Sequence, residues 1–247
     1  MSLTVSGRKP VLEALKSPRS IQKILILYGT RGKVIDDIRH QARRAGVPVT
    51  EVDKQRFAQI ADMATAQGVA AVVESKEYVE IEDLLDQVKQ SGASPRFLIL
   101  DEIEDPHNLG ALIRTAECAG FHGVILTKHR GAGITEVVAR SSAGASLHLP
   151  AARVANIAHT LDLLKEHGLW IVGTDEEGEK TYDEIDYDGG IAVVVGNEGR
   201  GMRRLVKEKC DYLVRIPVFG TVKSLNASVA GALVMYEAVR KRRQDDS

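Results

Sequence analysis

Residues 191–201 read Ile-Ala-Val-Val-Val-Gly-Asn-Glu-Gly-Arg-Gly, five apolar residues that run straight into a turn with three glycines. A short continuous apolar run predicts a strand buried on both faces, as in a parallel sheet covered by helices. The turn then stands at the carboxyl end of that strand, where open α/β sheets bind ligands. Its glycines would let backbone groups approach an edge such as an adenine or a ribose, because no side chain intervenes. It is not a dinucleotide fingerprint, since Glu198 occupies the place of the second glycine in Gly-x-Gly-x-x-Gly, and the chain has no Gly-x-x-x-x-Gly-Lys-Ser/Thr phosphate loop. Taken alone, the glycines could do no more than permit the turn's shape.

Two further polar segments follow apolar runs in the same way. Residues 97–100 precede Asn108 to Arg114 (NLGALIR), and residues 214–218 precede Ser224 to Ser228 (SLNAS). Strand patterns at 123–126 and 169–173 and helical patterns at 108–119, 157–167 and 225–242 complete a mostly parallel sheet with covering helices. In the last helix Leu225, Val229, Ala232, Tyr236 and Val239 fall on one face, Ser224 suits the amino-terminal cap, and Arg240 to Arg243 suit the negative end of the dipole.

The first part of the chain is different in kind. Helical patterns at 10–15, 34–45 and 54–63 alternate with strand patterns at 21–27, 47–52 and 69–73, predicting a compact α/β/α module. Residues 1–76 hold 13 Lys plus Arg against 7 Asp plus Glu, a net of +6, while the rest of the chain holds 20 against 27, a net of −7. A net charge of −1 for the whole therefore conceals a basic module fitted to approach phosphate. Residues 77–95, mixed in charge and ending Ser91-Gly92-Ala93-Ser94-Pro95, suit a linker with some helix at 81–88, so the expected divisions are 1–76, 77–95 and 96–247.

The three segments together resemble, in order and spacing, the signature motifs of the SpoU-type (TrmH-like) branch of the SPOUT methyltransferases: Asn108 and Arg114 six residues apart, the Gly-x-Glu-Gly-x-Gly turn at 196–201, and Ser224-Leu225-Asn226. The amino-terminal stretch 6–15 (SGRKPVLEAL) resembles the small ribosomal-protein-like RNA-binding domain that rRNA-directed members carry before the catalytic domain. One departure is Ala66, where relatives often have His before Gln67-Gly68, so an RNA contact by that His does not carry over. The resemblance implies an α/β fold with a deep trefoil knot near the carboxyl end, a homodimer, and S-adenosylmethionine as methyl donor with no metal. The implied reaction is methylation of a ribose 2′-hydroxyl in RNA, on a guanosine in the peptidyl-transferase loop of 23S rRNA. A tRNA substrate is the alternative, although tRNA-directed relatives usually have only short terminal helices in place of the module. A non-catalytic RNA-binding or ribosome-assembly protein on the same fold is a third.

By the same resemblance, donor contacts come from Gly196, Asn197, Gly201, Ile216, Leu225 and Asn226, with Thr174 close by, and the catalytic set is Arg114, Asn108, Glu198, Ser224 and Asn226. Physical chemistry alone casts Arg114 as a phosphate clamp, because a guanidinium is a cation whose planar fork of donors matches phosphate oxygens. The resemblance instead assigns it the activation of the 2′-hydroxyl, and an ion pair with Glu117 is the structural alternative. Asn108 can cap its helix and orient Arg114 or the substrate. Glu198 can orient a donor or the nucleotide, while Ser224 and Asn226 can cap the last helix or bind donor or RNA. His107 is of a residue type suited to a general base but has no such role in the motif. Arg130, Arg140 and Arg153 are further candidates for contact with RNA.

The remaining composition narrows the classes. No apolar stretch is long enough for a membrane span and residues 1–9 lack the features of a signal peptide, so a cytoplasmic protein without membrane contact is expected. Cys118 and Cys210 form no metal motif and read as reduced packing residues. Aromatic residues make up only 4%, so recognition of RNA should rest on shape, phosphates and 2′-hydroxyls.

Overall fold

The structure, a computed structural model, describes residues 2–17, 20–74 and 78–245, and of 241–245 the backbone only. The module boundary expected at residue 76 and the side chains of Arg242 and Arg243 lie outside the described residues. The chain forms two compact units, one of Met1–Glu77 with Ile134–His148, the other of Tyr78–Gly133 with Leu149–Ser247.

The first unit is a four-stranded sheet of β1 (Ser2–Ser6), β2 (Ile21–Leu27), β3 (Val49–Val52) and β4 (Val69–Glu74) in the order β1-β4-β2-β3. β4 runs antiparallel to both neighbours and β3 parallel to β2. Helices α1 (Arg8–Lys16) and α2 (Lys33–Arg44) put Val11, Ile35 and Ile38 against Ile24, Ile26 and Val69, while α3 (Lys54–Ala58) brings Phe57 to Leu25, Val52 and Ala70. Burying a side chain such as Phe57 stabilises the fold by roughly 1.5–3 kcal/mol. β1 is additional to the expected strands. α3 ends at Ala58 instead of continuing to Met63, because the Asp62 carboxylate accepts from Ala64 N at 3.0 Å and Thr65 Oγ1 at 3.0 Å and closes a loop there.

In the second unit seven strands form one sheet in the order β7-β6-β5-β10-β8-β11-β9, every pairing of which is parallel. They are β5 (Arg96–Asp101), β6 (Gly123–Thr127), β7 (Ala151–Val154), β8 (Leu169–Thr174), β9 (Lys180–Thr181), β10 (Gly190–Gly196) and β11 (Tyr212–Arg215). Helices α4 (Ile81–Ser91), α7 (Ile157–Glu166) and α8 (Arg204–Lys209) cover the face carrying Phe97, Ile99, Ile125, Ile171 and Val194. α5 (Pro106–Cys118) and α9 (Ala227–Asp245) pack on each other, and α9 also packs on β10. Covered strands explain why β5 and β10 read as unbroken apolar runs.

Three expectations need correction here. β11 spans 212–215 rather than 214–218, since Pro217 has no N–H to donate to a ladder and Val218 is exposed. The buried stripe of α9 is Gly231, Val234, Met235 and Ala238, whereas Leu225, Val229, Leu233 and Tyr236 are exposed. The helix carries two apolar stripes, and the one facing the sheet is decided by Gly231, where a Cβ would lie 2.6 Å from Leu112 and 3.0 Å from Val195. Cys118 is exposed rather than packed, while burial pushes the Cys210 thiol up to about 12.

The segment 134–148 carries α6 (Glu136–Ser141) and returns to the first unit, where Ala139 and Leu147 join the core of Val5, Val11 and Ile24. Glu136 accepts from Ser6 Oγ at 2.9 Å and Arg140 donates to Thr65 Oγ1 at 2.8 Å. No helix among the described residues is long and apolar enough to cross a membrane.

Candidate active site

Register places the site. Gly196 at the end of β10 lies opposite Asp101 at the end of β5, so the glycine turn and the loop entering α5 emerge side by side. α5 starts at Pro106 with Asp105 as its cap, whose carboxylate accepts from His107 N at 2.9 Å. Pro at a first helical position is favourable, because its missing N–H has no partner there in any case. Asn108 therefore sits inside the first turn and is not the cap, and its side chain is available for other partners.

Those partners join all three segments. Asn108 Nδ2 donates to Glu198 Oε1 at 2.8 Å, and Asn226 Nδ2 donates to Asn108 Oδ1 at 2.9 Å. Asn226 also caps α9, accepting from Ser228 N at 2.9 Å through Oδ1. The expected cap, Ser224, lies outside that role because α9 begins only at Ala227. Replacing Asn108 by Ala removes both bonds across the site. With each neutral hydrogen bond contributing about 0.5–1.5 kcal/mol, turnover should fall roughly 10- to 100-fold. Steady-state kinetics should show the KM for the expected methyl donor changed by less than about threefold, because Asn108 does not line the cleft described below.

The turn is shaped by its own residues. Asn197 and Gly201 exchange backbone hydrogen bonds at 3.1 and 2.9 Å, and Asn197 Oδ1 accepts from Gly199 N at 3.0 Å and Arg200 N at 3.2 Å. Asn197 Nδ2 donates to the carbonyl of Glu102 at 2.8 Å. The Asn197 side chain is thus committed to the turn, which leaves backbone groups for a ligand. Gly196 is required by close approach, since a Cβ there would lie 2.3 Å from Met202 N and 2.4 Å from the Gly201 carbonyl carbon. Gly201 is required by its left-handed φ of 67°.

Beneath the turn is an ionic clamp that sequence reasoning missed. Asp101 is fully buried and accepts from Arg203 N and Nε at 2.8 Å and from Arg203 Nη2 at 2.6 Å. Glu102, also buried and in a left-handed backbone conformation with φ 62°, faces Arg203 at 3.4 Å and Arg200 at 3.7 Å, while Arg200 also pairs with Glu104 at 2.6 Å. A buried carboxylate is tolerated only when its lone pairs are met in this way. Two acids directly after an apolar strand were a visible signal, but their partners stand about a hundred positions away.

A cleft of about 730 Å³ opens beside the turn, within the range of small-ligand sites. Thr174, Gly196, Asn197, Gly201, Ile216 and Leu225 all line it, as do Glu198 and Ser224, whereas Asn108, Arg114 and Asn226 do not. Past Thr174 its wall carries Asp175, Glu176 and Glu177, with Lys207 paired to Asp175. Arg114 is exposed on α5 and makes no hydrogen bond or ion pair among the described residues, so the alternative pairing with Glu117 is not realised. His107 is exposed. Arg153 is engaged by the carbonyls of Thr127 and Lys128 and by the Tyr78 ring, and Arg130 is an exposed residue with φ 57°. Among the described residues no group of three or more His, Cys, Asp or Glu side chains could hold a metal.

Residues 95–236 match the SpoU rRNA Methylase family, and residues 4–79 match the RNA 2′-O ribose methyltransferase substrate-binding family. The chain is 44% identical over 238 residues to YacO of Bacillus subtilis (strain 168), a protein named as a TrmH family tRNA/rRNA methyltransferase, covering 96% of this chain and 95% of that one. It is similar in structure to the SpoU methyltransferase AviRb of Streptomyces viridochromogenes in complex with AdoMet, with a TM-score of 0.81 and 26% identity over 98% of this chain and 91% of AviRb. An AdoMet-bound rRNA methyltransferase of Sinorhizobium meliloti gives a TM-score of 0.77 and 27% identity over 97% of this chain and 87% of the other.

Proposed function

From the premise that the chain belongs to the SpoU family of RNA 2′-O-ribose methyltransferases, with S-adenosylmethionine as methyl donor, we propose that its substrate is a guanosine in the peptidyl-transferase loop of 23S rRNA. The observation that carries the catalytic part of the reading is the Glu198-Asn108-Asn226 hydrogen-bond chain, which joins all three segments beside the cleft that Glu198 lines. The 23S assignment is supported by the basic first unit and by the likeness to the Sinorhizobium rRNA methyltransferase over both units.

The cleft suits the donor. Backbone groups of the 196–201 turn and of residues 216 and 225 would hold its nucleoside part, and Glu176 and Glu177 beyond Thr174 would complement its cationic groups. S-adenosylmethionine, when bound, would supply a methyl carbon activated by a sulfonium. The ribose oxygen takes the methyl as the carbon–sulfur bond breaks to leave a thioether, and its proton passes to the adjacent substrate phosphate or to water. The chain's task is therefore to bring that oxygen in line and to ease the loss of its proton. Arg114, exposed and unpaired, places a fixed positive charge for that oxygen and for the adjacent phosphate. Asn108 and Glu198 hold the loop entering α5 and the turn in register, so the two substrates meet in one geometry. Gly196 and Gly201 let the turn stay tight, with its backbone presented to the donor.

The same reading includes a homodimer and a knot. Leu225, Val229, Leu233 and Tyr236, with Phe219 and Val222, leave an apolar surface along α9 and the segment before it, of the kind an isogenous partner covers. The segment 216–226 leaves β11 beside the glycine turn and delivers α9 back to α5 and β10, and this return is where the chain would be threaded. The functional division assigns residues 1–76 to substrate binding, 77–95 to the connection and 96–247 to catalysis.

The test is incubation of the purified protein with labelled S-adenosylmethionine and unmodified rRNA or tRNA transcripts, followed by mapping of ribose methylation. Label at a single 2′-hydroxyl of the 23S transcript is expected. Label confined to tRNA would overturn the substrate, and label in neither would overturn the RNA assignment.

A further inference from the structure

Strand register in the first unit brings four loops to one edge of its sheet. β1 ends at Ser6 opposite Ala70, β2 ends near Val69, and β3 ends at Val52 opposite Leu27. The loops at 7–9, 28–33, 53–56 and 67–68 therefore emerge together, tied by Arg8 N to Gln67 Oε1 at 3.3 Å and Arg8 Nη2 to the Arg31 carbonyl at 3.4 Å. They carry Arg8, Lys9, Arg31, Lys33, Lys54 and Arg56, all but Arg8 exposed. Acids nearby are Asp53, whose carboxylate caps α3, Asp36 in the first turn of α2, and Asp62, closed into its own loop. The contrast with Arg39, paired to Glu51, is direct, since Arg31, Lys33, Lys54 and Arg56 make no ion pair among the described residues. Tyr28 stands among them, 64% exposed at the end of β2. α1 and α2 both start at this edge on glycines rather than acidic caps.

We propose that this edge is the RNA-docking surface of the first unit: Arg31, Lys33, Lys54 and Arg56 contact backbone phosphates, and Tyr28 stacks on an unpaired base. The inference rests on the RNA methyltransferase reading and assigns residues to its substrate contact. Unpaired cations brought together from separate loops create a local potential that the chain does not neutralise, and an aromatic ring standing free in water gains most from a base face. A loop or bulge, with accessible phosphates and an unstacked base, is the RNA shape that fits.

The test compares two full-length variants of equal charge. One carries Arg31→Ala, Lys33→Ala and Lys54→Ala; the other carries Lys23→Ala, Arg43→Ala and Arg44→Ala, three exposed cations elsewhere on the unit. Binding of an unmodified transcript of the 23S peptidyl-transferase loop is measured from 50 to 300 mM KCl, with melting temperature and donor affinity checked for each protein. The first variant should bind on the order of tenfold more weakly, and its slope of log K against log salt should be shallower by about two, as loss of three phosphate contacts requires. The second should keep the wild-type slope, and Tyr28→Ala should weaken binding on the order of tenfold with the slope unchanged. Equal losses in both triple variants, or none in the first, overturn the assignment while wild-type methyl transfer to RNA leaves the enzymatic reading standing. If the wild-type protein neither binds nor methylates the transcript, both fall.

Discussion

Replacing Arg114 by Ala is expected to lower single-turnover methyl transfer by about three orders of magnitude, the range set by removing a preorganised charge from a reaction centre. Donor affinity, measured by calorimetry, should stay within about twofold, because Arg114 does not line the cleft. Among the described residues its guanidinium has no partner, so truncation leaves no buried acid behind and should shift the melting temperature little. Arg114→Lys should recover part of the rate, since it keeps the charge and loses the planar fork that reaches phosphate and hydroxyl together. Turnover of the Ala variant within tenfold of wild type would remove Arg114 from the mechanism.

Substituting Gly196 by Ala should have the second large effect, this time on the donor. The added methyl would stand 2.3 Å from Met202 N and 2.4 Å from the Gly201 carbonyl carbon, and backbone atoms cannot rotate aside as a side chain does. The turn must therefore open, moving the backbone that lines the cleft and pulling on Asn197 and its bond to Glu102. Donor affinity should fall by at least about 100-fold, a loss of roughly 2.7 kcal/mol. Gly201→Ala provides the contrast, because it meets open space and carries only the strain of a left-handed φ, worth about 1–2 kcal/mol. A Gly196→Ala protein that binds donor within threefold of wild type would exclude the 196–201 turn from the donor site.

The parts of this fold that were legible in the sequence share a property: their signal is local. β5 and β10 are buried on both faces, so they read as apolar runs, and the turn after β10 declares itself through glycines. Where a choice between neighbours decided the outcome, the sequence was silent. The helical pattern puts the start of α5 at Asn108, whereas it begins two residues earlier on an Asp105 cap, and Ser224 and Asn226 are two possible caps for α9. In each case the helix took the cap whose neighbours allowed it, leaving Asn108 free for Glu198 and Asn226. The face of α9 was equally hidden, because periodicity counts apolar stripes without saying which one a glycine lets close to the sheet. The clamp of Asp101 and Arg203 was half hidden for another reason, since two acids after an apolar run stand out but nothing local points to a partner 102 residues on.

The return of residues 134–148 to the first unit bears on how this protein can be cut and recombined. Deleting residues 1–77 would leave Ala139 and Leu147 uncovered, and expressing 1–77 alone would leave a gap where they belong. A graft that transplants the amino-terminal unit into a relative must carry two pieces of polypeptide, spliced at three junctions. Homologues that lack the unit altogether must resolve that stretch in some other way, which makes the length and polarity of their equivalent of 134–148 a readable mark of whether they ever had it.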